Sequence, residues 1–265
     1  MEGCFRYNLK MNAHAGTDIF RVMGRKMLVH YHRPAGPEGR RFPAVLFLHG
    51  FPGSEKSIDI QRALMARGIA SVAPSFLGAW GSGGKYRFTT LPAQAAAALS
   101  AAKRLEFVDP RRVALFGFSM GGWAALNAAA REPGLRAIVA VAPAGGAEMI
   151  GPHTLEFITS LSRPLNAIAP RALAADFRKA VAAGDPARAA RRIKAPLLLV
   201  HGDADETIPL AVSRRIAKSA GGRVRLVIER GASHDFLDRR ARLTRLCADF
   251  LARSLSARTA SAGTS

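Results

Sequence analysis

The sequence predicts an α/β fold: a mostly parallel central sheet with helices on both faces. Three observations predict it. Short apolar runs of strand length alternate with helix-favouring stretches. Most of those runs are continuously apolar, as strands buried on both faces are. The 265 residues, 49% of them hydrophobic, are enough to build one large core.

The elements follow in order. RKMLVHYHRP (25–34) alternates apolar and polar side chains and reads as an antiparallel edge strand. PAVLFLHG (43–50), IASVAPSF (69–76), RVALFGFS (112–119), RAIVAVAP (136–143), APLLLVHG (195–202) and RVRLVIE (223–229) read as the central strands. Helices fit between them. One covers residues 56–67 and is started by Ser54; another, rich in alanine, covers 91–105; a third covers 121–131. Pro209 opens a helix to about 219 that Gly221 and Gly222 stop. The last helix runs from about 236 to 255, and the small, polar tail 256–265 is expected to be disordered. Between Pro143 and Lys194 lie about fifty residues without a strand, more than an ordinary crossover needs. They are expected to hold the crossover helix and a small helical, cap-like insertion. Residues 1–255 are expected to form a single domain, since neither a repeat nor a second domain is legible.

Composition narrows the function classes. No run of eighteen apolar residues marks a membrane span, and the N-terminus lacks the basic-then-apolar order of a signal peptide. Two cysteines make neither a disulfide framework nor a metal-site spacing, so a cytoplasmic location is expected. The net charge of +20 raises the thought of nucleic acid or of anionic substrates. The basic residues are spread along the whole chain, as in Arg40-Arg41, Arg111-Arg112, Arg191-Arg192 and Arg239-Arg240, with no nucleic-acid-binding signature among them. A solvated basic surface is the preferred reading, and no specific nucleic acid, no membrane and no particular oligomeric state is implied.

The chemistry centres on GFSMGG (117–122), which follows a buried strand and precedes a helix-like stretch. That is the context of the G-x-S-x-G turn. A nucleophile on so sharp a turn needs small neighbours two positions away, and Gly117 and Gly121 supply them. Ser119 is the candidate nucleophile. A serine hydroxyl needs a base, and a histidine needs a carboxylate to fix its tautomer. His234 in GASHDF (231–236) is the only histidine after residue 201 and follows the last strand. The acid belongs in HGDADETIP (201–209), where spacing leaves Asp203, Asp205 and Glu206 open. HGFPGSEK (49–56) follows an early strand and suits an oxyanion loop. The two donors expected are the backbone N–H groups of Phe51 and Met120.

GAWGSGGKY (78–86) fails as a phosphate loop, because Ala79 and Tyr86 stand where the pattern needs glycine and Ser or Thr. It reads as a loop at the rim of the site, where Trp80 either contacts substrate or packs over the sheet edge. No metal or organic cofactor is implied.

Taken together, HGFPGSEK, GAWGSGG, GFSMGG, HGDADETIP and GASHDF resemble the bacterial α/β-hydrolases grouped with the prolyl oligopeptidase and dienelactone hydrolase-like enzymes. The resemblance covers about residues 20–255 and implies a lone catalytic domain without a propeller. It places the long helical segment between strands 6 and 7 of that fold. It also implies Asp205, the aspartate of HGxxDxxxP, as the triad acid. The family often shows RGSWGSGG where this chain has Leu77 in place of the arginine. The expected activity is a carboxylesterase-like serine hydrolase acting on small or medium acyl esters. The alternatives are an aminopeptidase or oligopeptidase, with Glu148 or Glu156 binding a substrate amine, and a noncatalytic hydrolase-like protein binding an acidic partner.

Overall fold

The computed structural model describes residues 12–256. The tail expected to be disordered, from residue 257 onward, lies outside the described residues, as does Cys4. Eight strands form one sheet: β1 (His14–Val22), β2 (Arg25–Arg33), β3 (Phe42–Leu48), β4 (Ala70–Pro74), β5 (Val108–Phe118), β6 (Ile138–Val141), β7 (Leu197–Gly202) and β8 (Val224–Glu229). Their order across the sheet is β1-β2-β4-β3-β5-β6-β7-β8. From β4 to β8 every pairing is parallel, while β2 runs antiparallel to both β1 and β4.

The apolar runs are buried on both faces, and their side chains divide by the two-residue period of a strand. In β3, Ala44, Leu46 and Leu48 enter one core while Val45 and Phe47 enter the other. Leu197 and Leu199 of β7 oppose Leu198 and Val200 in the same way. Helices α1 (Ile58–Met65) and α8 (Arg240–Ser256) cover the second core with Ile60, Leu64, Leu243, Cys247, Leu251 and Leu255. The first core lies under α2 (Leu91–Ala102), α3 (Met120–Ala129), α5 (Pro170–Ala183), α6 (Pro186–Ala190) and α7 (Leu210–Ser219).

The long segment between β6 and β7 contains a 3-10 turn at Ala147–Met149, helix α4 (Thr154–Leu161), and then α5 and α6. The crossover thus carries extra helical structure at the position expected. Among the described residues, no helix is long and apolar enough to cross a membrane.

Three expectations are corrected. The strand at 25–33 is not the edge: β1, unpredicted, pairs along its whole length and takes that place. The hairpin turn is Met23-Gly24, both at positive φ (49° and 73°). A positive-φ pair is the favoured two-residue hairpin, but Met-Gly does not announce it as Asn-Gly does. Only Phe20 and Val22 of β1 are buried, so its apolar signal is weak as well. Helix α1 starts at Ile58 after Ser57 rather than at Ser54, and the Ser57 N–H is taken by the Glu55 carboxylate. The last helix starts at Arg240, after a separate 3-10 turn at Leu237–Arg239.

Leu251 is fully buried between α8 and the sheet. Leu251→Ala is expected to lower unfolding free energy by about 2–5 kcal/mol through lost transfer energy and a residual cavity. A urea melt of the variant beside wild type measures this; a loss below about 1 kcal/mol would show that α8 packs loosely.

Candidate active site

β5 delivers Ser119 to the first turn of α3 with φ 54° and ψ −122°, a conformation that a side-chain-bearing residue rarely adopts. The strain is held from three sides. The Ser119 N–H donates to the Val141 carbonyl (2.9 Å), and its own carbonyl accepts from Trp123 N–H (3.1 Å) and Ala144 N–H (3.1 Å). The flanking glycines are required by contact. A Cβ on Gly117 would lie 2.3 Å from the Gly121 carbonyl oxygen, and one on Gly121 would lie 2.0 Å from the Leu48 carbonyl oxygen.

His234 comes from the loop after β8. Its Nε2 lies 3.1 Å from Ser119 Oγ and its Nδ1 lies 2.8 Å from Asp205 Oδ2. With Nδ1–H donating to the carboxylate, Nε2 is the free acceptor for the serine hydroxyl. The ring packs on Phe118, centroids 5.0 Å apart. The three acids left open by spacing have different positions. Asp205 meets His234. Asp203 Oδ1 accepts the Gly231 N–H (2.6 Å), which ties the loop after β7 to the loop carrying His234. Glu206 is exposed and lines the mouth of the cavity.

The Asp205 side chain is 0% exposed. Burial on its own raises its pKa. The hydrogen bonds from His201, His234 and the Ile208 N–H outweigh burial and hold the carboxyl well below its ordinary range. Oδ1 accepts Thr207 N–H (2.9 Å) and Ile208 N–H (2.8 Å). His201 also reaches the acidic loop: its Nε2 lies 3.3 Å from Asp205 Oδ2 and 2.9 Å from the Ile208 carbonyl. Its Nδ1 faces Ser213 Oγ at 2.7 Å. Two acceptors at Nε2 place the proton there, so the Ser213 hydroxyl donates to Nδ1. A histidine that ends a continuously apolar strand, four residues before Asp205, is the sequence signal for this contact, and the structure buries that histidine fully.

The Phe51 and Met120 N–H groups have no hydrogen-bond acceptor among the described residues, and both residues line the cavity. Gly50 brings the two loops together, since a Cβ on it would lie 3.0 Å from Ser119 Cβ. His49 orients the Gly50–Phe51 peptide. Its Nε2 accepts the Phe76 N–H (3.0 Å), so Nδ1–H donates to the Gly50 carbonyl (2.7 Å). Burial, with the nearby Lys56 charge, pushes the His49 pKa down to about 3, so this donor pattern persists at neutral pH.

The cavity has a volume of about 590 Å³. Phe88, Phe118, Met149, Phe157, Ile158 and Phe177 give it apolar walls, and α4 supplies one side. Among the described residues, neither lysine nor arginine lines it. Trp80 does not line it either. The indole instead sits behind the loop that carries Phe51, with Nε1–H donating to the Pro52 carbonyl (2.8 Å).

Asp205 has a depressed folded pKa, so the stability it contributes is present above the unfolded carboxylate pKa of about 3.9 and is lost as pH falls through the lower folded value. Asp205→Asn is therefore expected to lower Tm most at pH 6–7, with the gap from wild type closing as pH drops below about 4. Melting curves from pH 7 to 3 test this, and a gap independent of pH would contradict it.

The sequence profile described as "Alpha/beta hydrolase family" matches residues 45–246. An uncharacterised protein of Mycobacterium tuberculosis is 27% identical over 194 residues, which are 73% of this chain and 63% of that relative. The chain thus spans less than two thirds of the length of the curated relative it matches. Among solved structures, Est1E from Butyrivibrio proteoclasticus superposes with a TM-score of 0.72 at 21% identity, over 91% of this chain and all of that one. A 2,6-dihydroxy-pseudo-oxynicotine hydrolase gives 0.75 at 23% identity, over 91% of this chain and 68% of that one. A puromycin-hydrolysing peptidase of M. tuberculosis gives 0.72 at 22% identity, over 95% of this chain but 41% of that one. Identities this low speak for the shared fold alone. The profile match, which runs from β3 into α8, is what shows that this chain belongs to the α/β hydrolase family.

Proposed function

We propose that the protein is a serine hydrolase that cleaves carboxylic esters of small or medium, uncharged acyl groups through an acyl-enzyme. The observation that carries this reading is the hydrogen-bonded series Ser119–His234–Asp205 opening into an apolar cavity. Ser119 Oγ attacks the ester carbonyl while His234 Nε2 takes its proton. The carbonyl oxygen, now an oxyanion, is held by the Phe51 and Met120 N–H groups. The imidazolium, stabilised by Asp205, protonates the departing alkoxide and the alcohol leaves. Water, deprotonated by His234, then attacks the acyl-Ser119 carbonyl and the carboxylic acid is released.

Two features favour an ester over a peptide amine terminus. Glu148, a candidate amine binder, is paired with Arg215 at 2.5 Å, and Glu156 is exposed beside His153. Neither lines the cavity. The choice of an uncharged acyl group rests on the lining. The net charge of the chain is +20, but among the described residues the carboxylates Glu55, Glu206 and Asp235 line the cavity and no lysine or arginine does. An anionic acyl chain would lose its hydration without gaining a counter-cation. Large aromatic walls suit a ring or a medium alkyl chain.

Hydrolysis of p-nitrophenyl esters from acetate to decanoate by wild type and Ser119→Ala tests the reading. Turnover is expected to peak at a medium chain and to fall by at least about 10³-fold in the variant. Retained turnover in the variant would remove Ser119 from the chemistry. In a second comparison, the ester of a monoacid is set against the hemiester of a dicarboxylic acid of equal length. The free carboxylate is expected to lower kcat/KM at least about tenfold; equal values would show that the basic surface, not the lining, governs selection.

A further inference from the structure

The loop Gly78–Gly84 is a motif that the proposed chemistry leaves without a task. It is built with care: Gly78 N–H donates to Gly83 O (3.0 Å), Gly83 N–H to Lys26 O (2.8 Å), and Ser82 Oγ to Ser75 O (2.7 Å). It presents Trp80 at φ 46°, 41% exposed and away from the cavity lining. So large an exposed aromatic in a strained position calls for a local reason.

That reason lies in the oxyanion loop. The backbone is held from outside on both sides of Phe51: at the Gly50–Phe51 peptide before it and, one peptide further along, at Pro52–Gly53 after it. On its N-terminal side, His49 Nδ1–H holds the Gly50 carbonyl at 2.7 Å. In a planar trans peptide the N–H points opposite to the carbonyl, so this bond turns the Phe51 N–H away from His49. On its C-terminal side comes Pro52, which has no N–H. The Pro52 carbonyl, in the following peptide group, accepts the Trp80 Nε1–H at 2.8 Å. Gly53, at φ 96°, lies between the two rings: a Cβ on it would be 2.5 Å from His49 Nδ1 and 2.7 Å from Trp80 Nε1. The Trp80 ring is itself covered by Lys56 Nζ, 5.8 Å from its centroid, and Lys56 is tied to Ser75 Oγ at 3.3 Å.

We infer that Trp80 is a positioning residue of the oxyanion hole: its indole N–H holds the Pro52 carbonyl and thereby fixes the loop that aims the Phe51 N–H at the substrate carbonyl oxygen. The inference rests on the proposed role of Phe51 and deepens that reading of the site. Trp80 touches neither substrate nor the reacting atoms. Its effect falls on the transition state, where the oxyanion is full, more than on ground-state binding.

The experiment compares wild type, Trp80→Phe and Trp80→His with a medium-chain p-nitrophenyl ester. It also measures inhibition by a trifluoromethyl ketone, which forms a tetrahedral oxyanion on the serine, and by a neutral alcohol analogue of similar size. Ser119→Ala in parallel shows whether the ester reaction is a serine reaction at all; if that variant keeps full turnover, the reading of the site fails before Trp80 is judged. Given a serine reaction, Trp80→Phe keeps a ring over Lys56 and loses the N–H. Its kcat is expected to fall about tenfold with KM within about twofold, as a displaced oxyanion donor predicts. Affinity for the ketone falls in parallel, affinity for the alcohol does not, and Trp80→His, which keeps a ring N–H, recovers part of kcat. Unchanged kcat in Trp80→Phe would overturn the inference. So would an equal loss of ketone and alcohol affinity, which marks a general loosening of the cavity. Melting temperatures show that the variants compared are folded.

Discussion

The contact between the first turn of α3 and the end of β3 governs the rest of the site. Gly121 rests directly on the Leu48 carbonyl, and Gly117 rests on Gly121. A helix can begin that close to a neighbouring strand only where no Cβ intervenes. The approach lets β5 turn into α3 within one strained residue, which leaves the Ser119 hydroxyl above the strand ends. It has a second effect. Leu48 is followed at once by His49 and Gly50, so the contact that permits the turn also sets the proposed oxyanion loop against it. Gly50 completes the arrangement by letting its backbone pass within van der Waals reach of Ser119.

On the other side of Ser119 the same logic is carried by hydrogen bonds. The loops after β7 and β8 are joined through Asp203 to Gly231 and through Asp205 to His234. Gly202 lets them meet, since a Cβ there would lie 2.0 Å from the Ala232 carbonyl oxygen. A buried carboxylate is costly unless its oxygens are satisfied. Asp205 has two backbone N–H donors on one oxygen and two imidazoles near the other. Its charge is stabilised without a lysine or arginine, and His234 turns Nδ1 to it and Nε2 to Ser119.

The electrostatics of the site are therefore local. The chain carries 39 lysines and arginines against 19 acidic residues, yet among the described residues no lysine or arginine lines the cavity. Arg215 and Arg240 are engaged with Asp185, Glu148 and Asp59 on the periphery. Net charge describes the surface and long-range attraction; the lining describes what is accommodated next to Ser119.

Much of this was legible in the sequence. Continuous apolar runs determined the parallel, doubly covered sheet, because only strands buried on both faces read that way. The glycines around Ser119, and the order of the serine, acidic loop and histidine along the chain, pointed to the elements that now meet. Other features depend on the tertiary structure. β1 is held by its partner strand more than by its own apolar pattern, and its Met-Gly turn carries no strong local signal. Spacing left Asp203, Asp205 and Glu206 open because all three sit on one short loop; which of them meets His234 depends on how that loop packs on its neighbour. From the sequence Trp80 is expected to contact substrate or to pack over the sheet edge; that it stays off the cavity lining and aims its N–H at Pro52 is set by a loop from a different part of the chain. Local pattern determines which elements form, because burial and backbone freedom are properties of short stretches. Contacts between residues far apart in sequence are decided only when the sheet brings their loops to one edge.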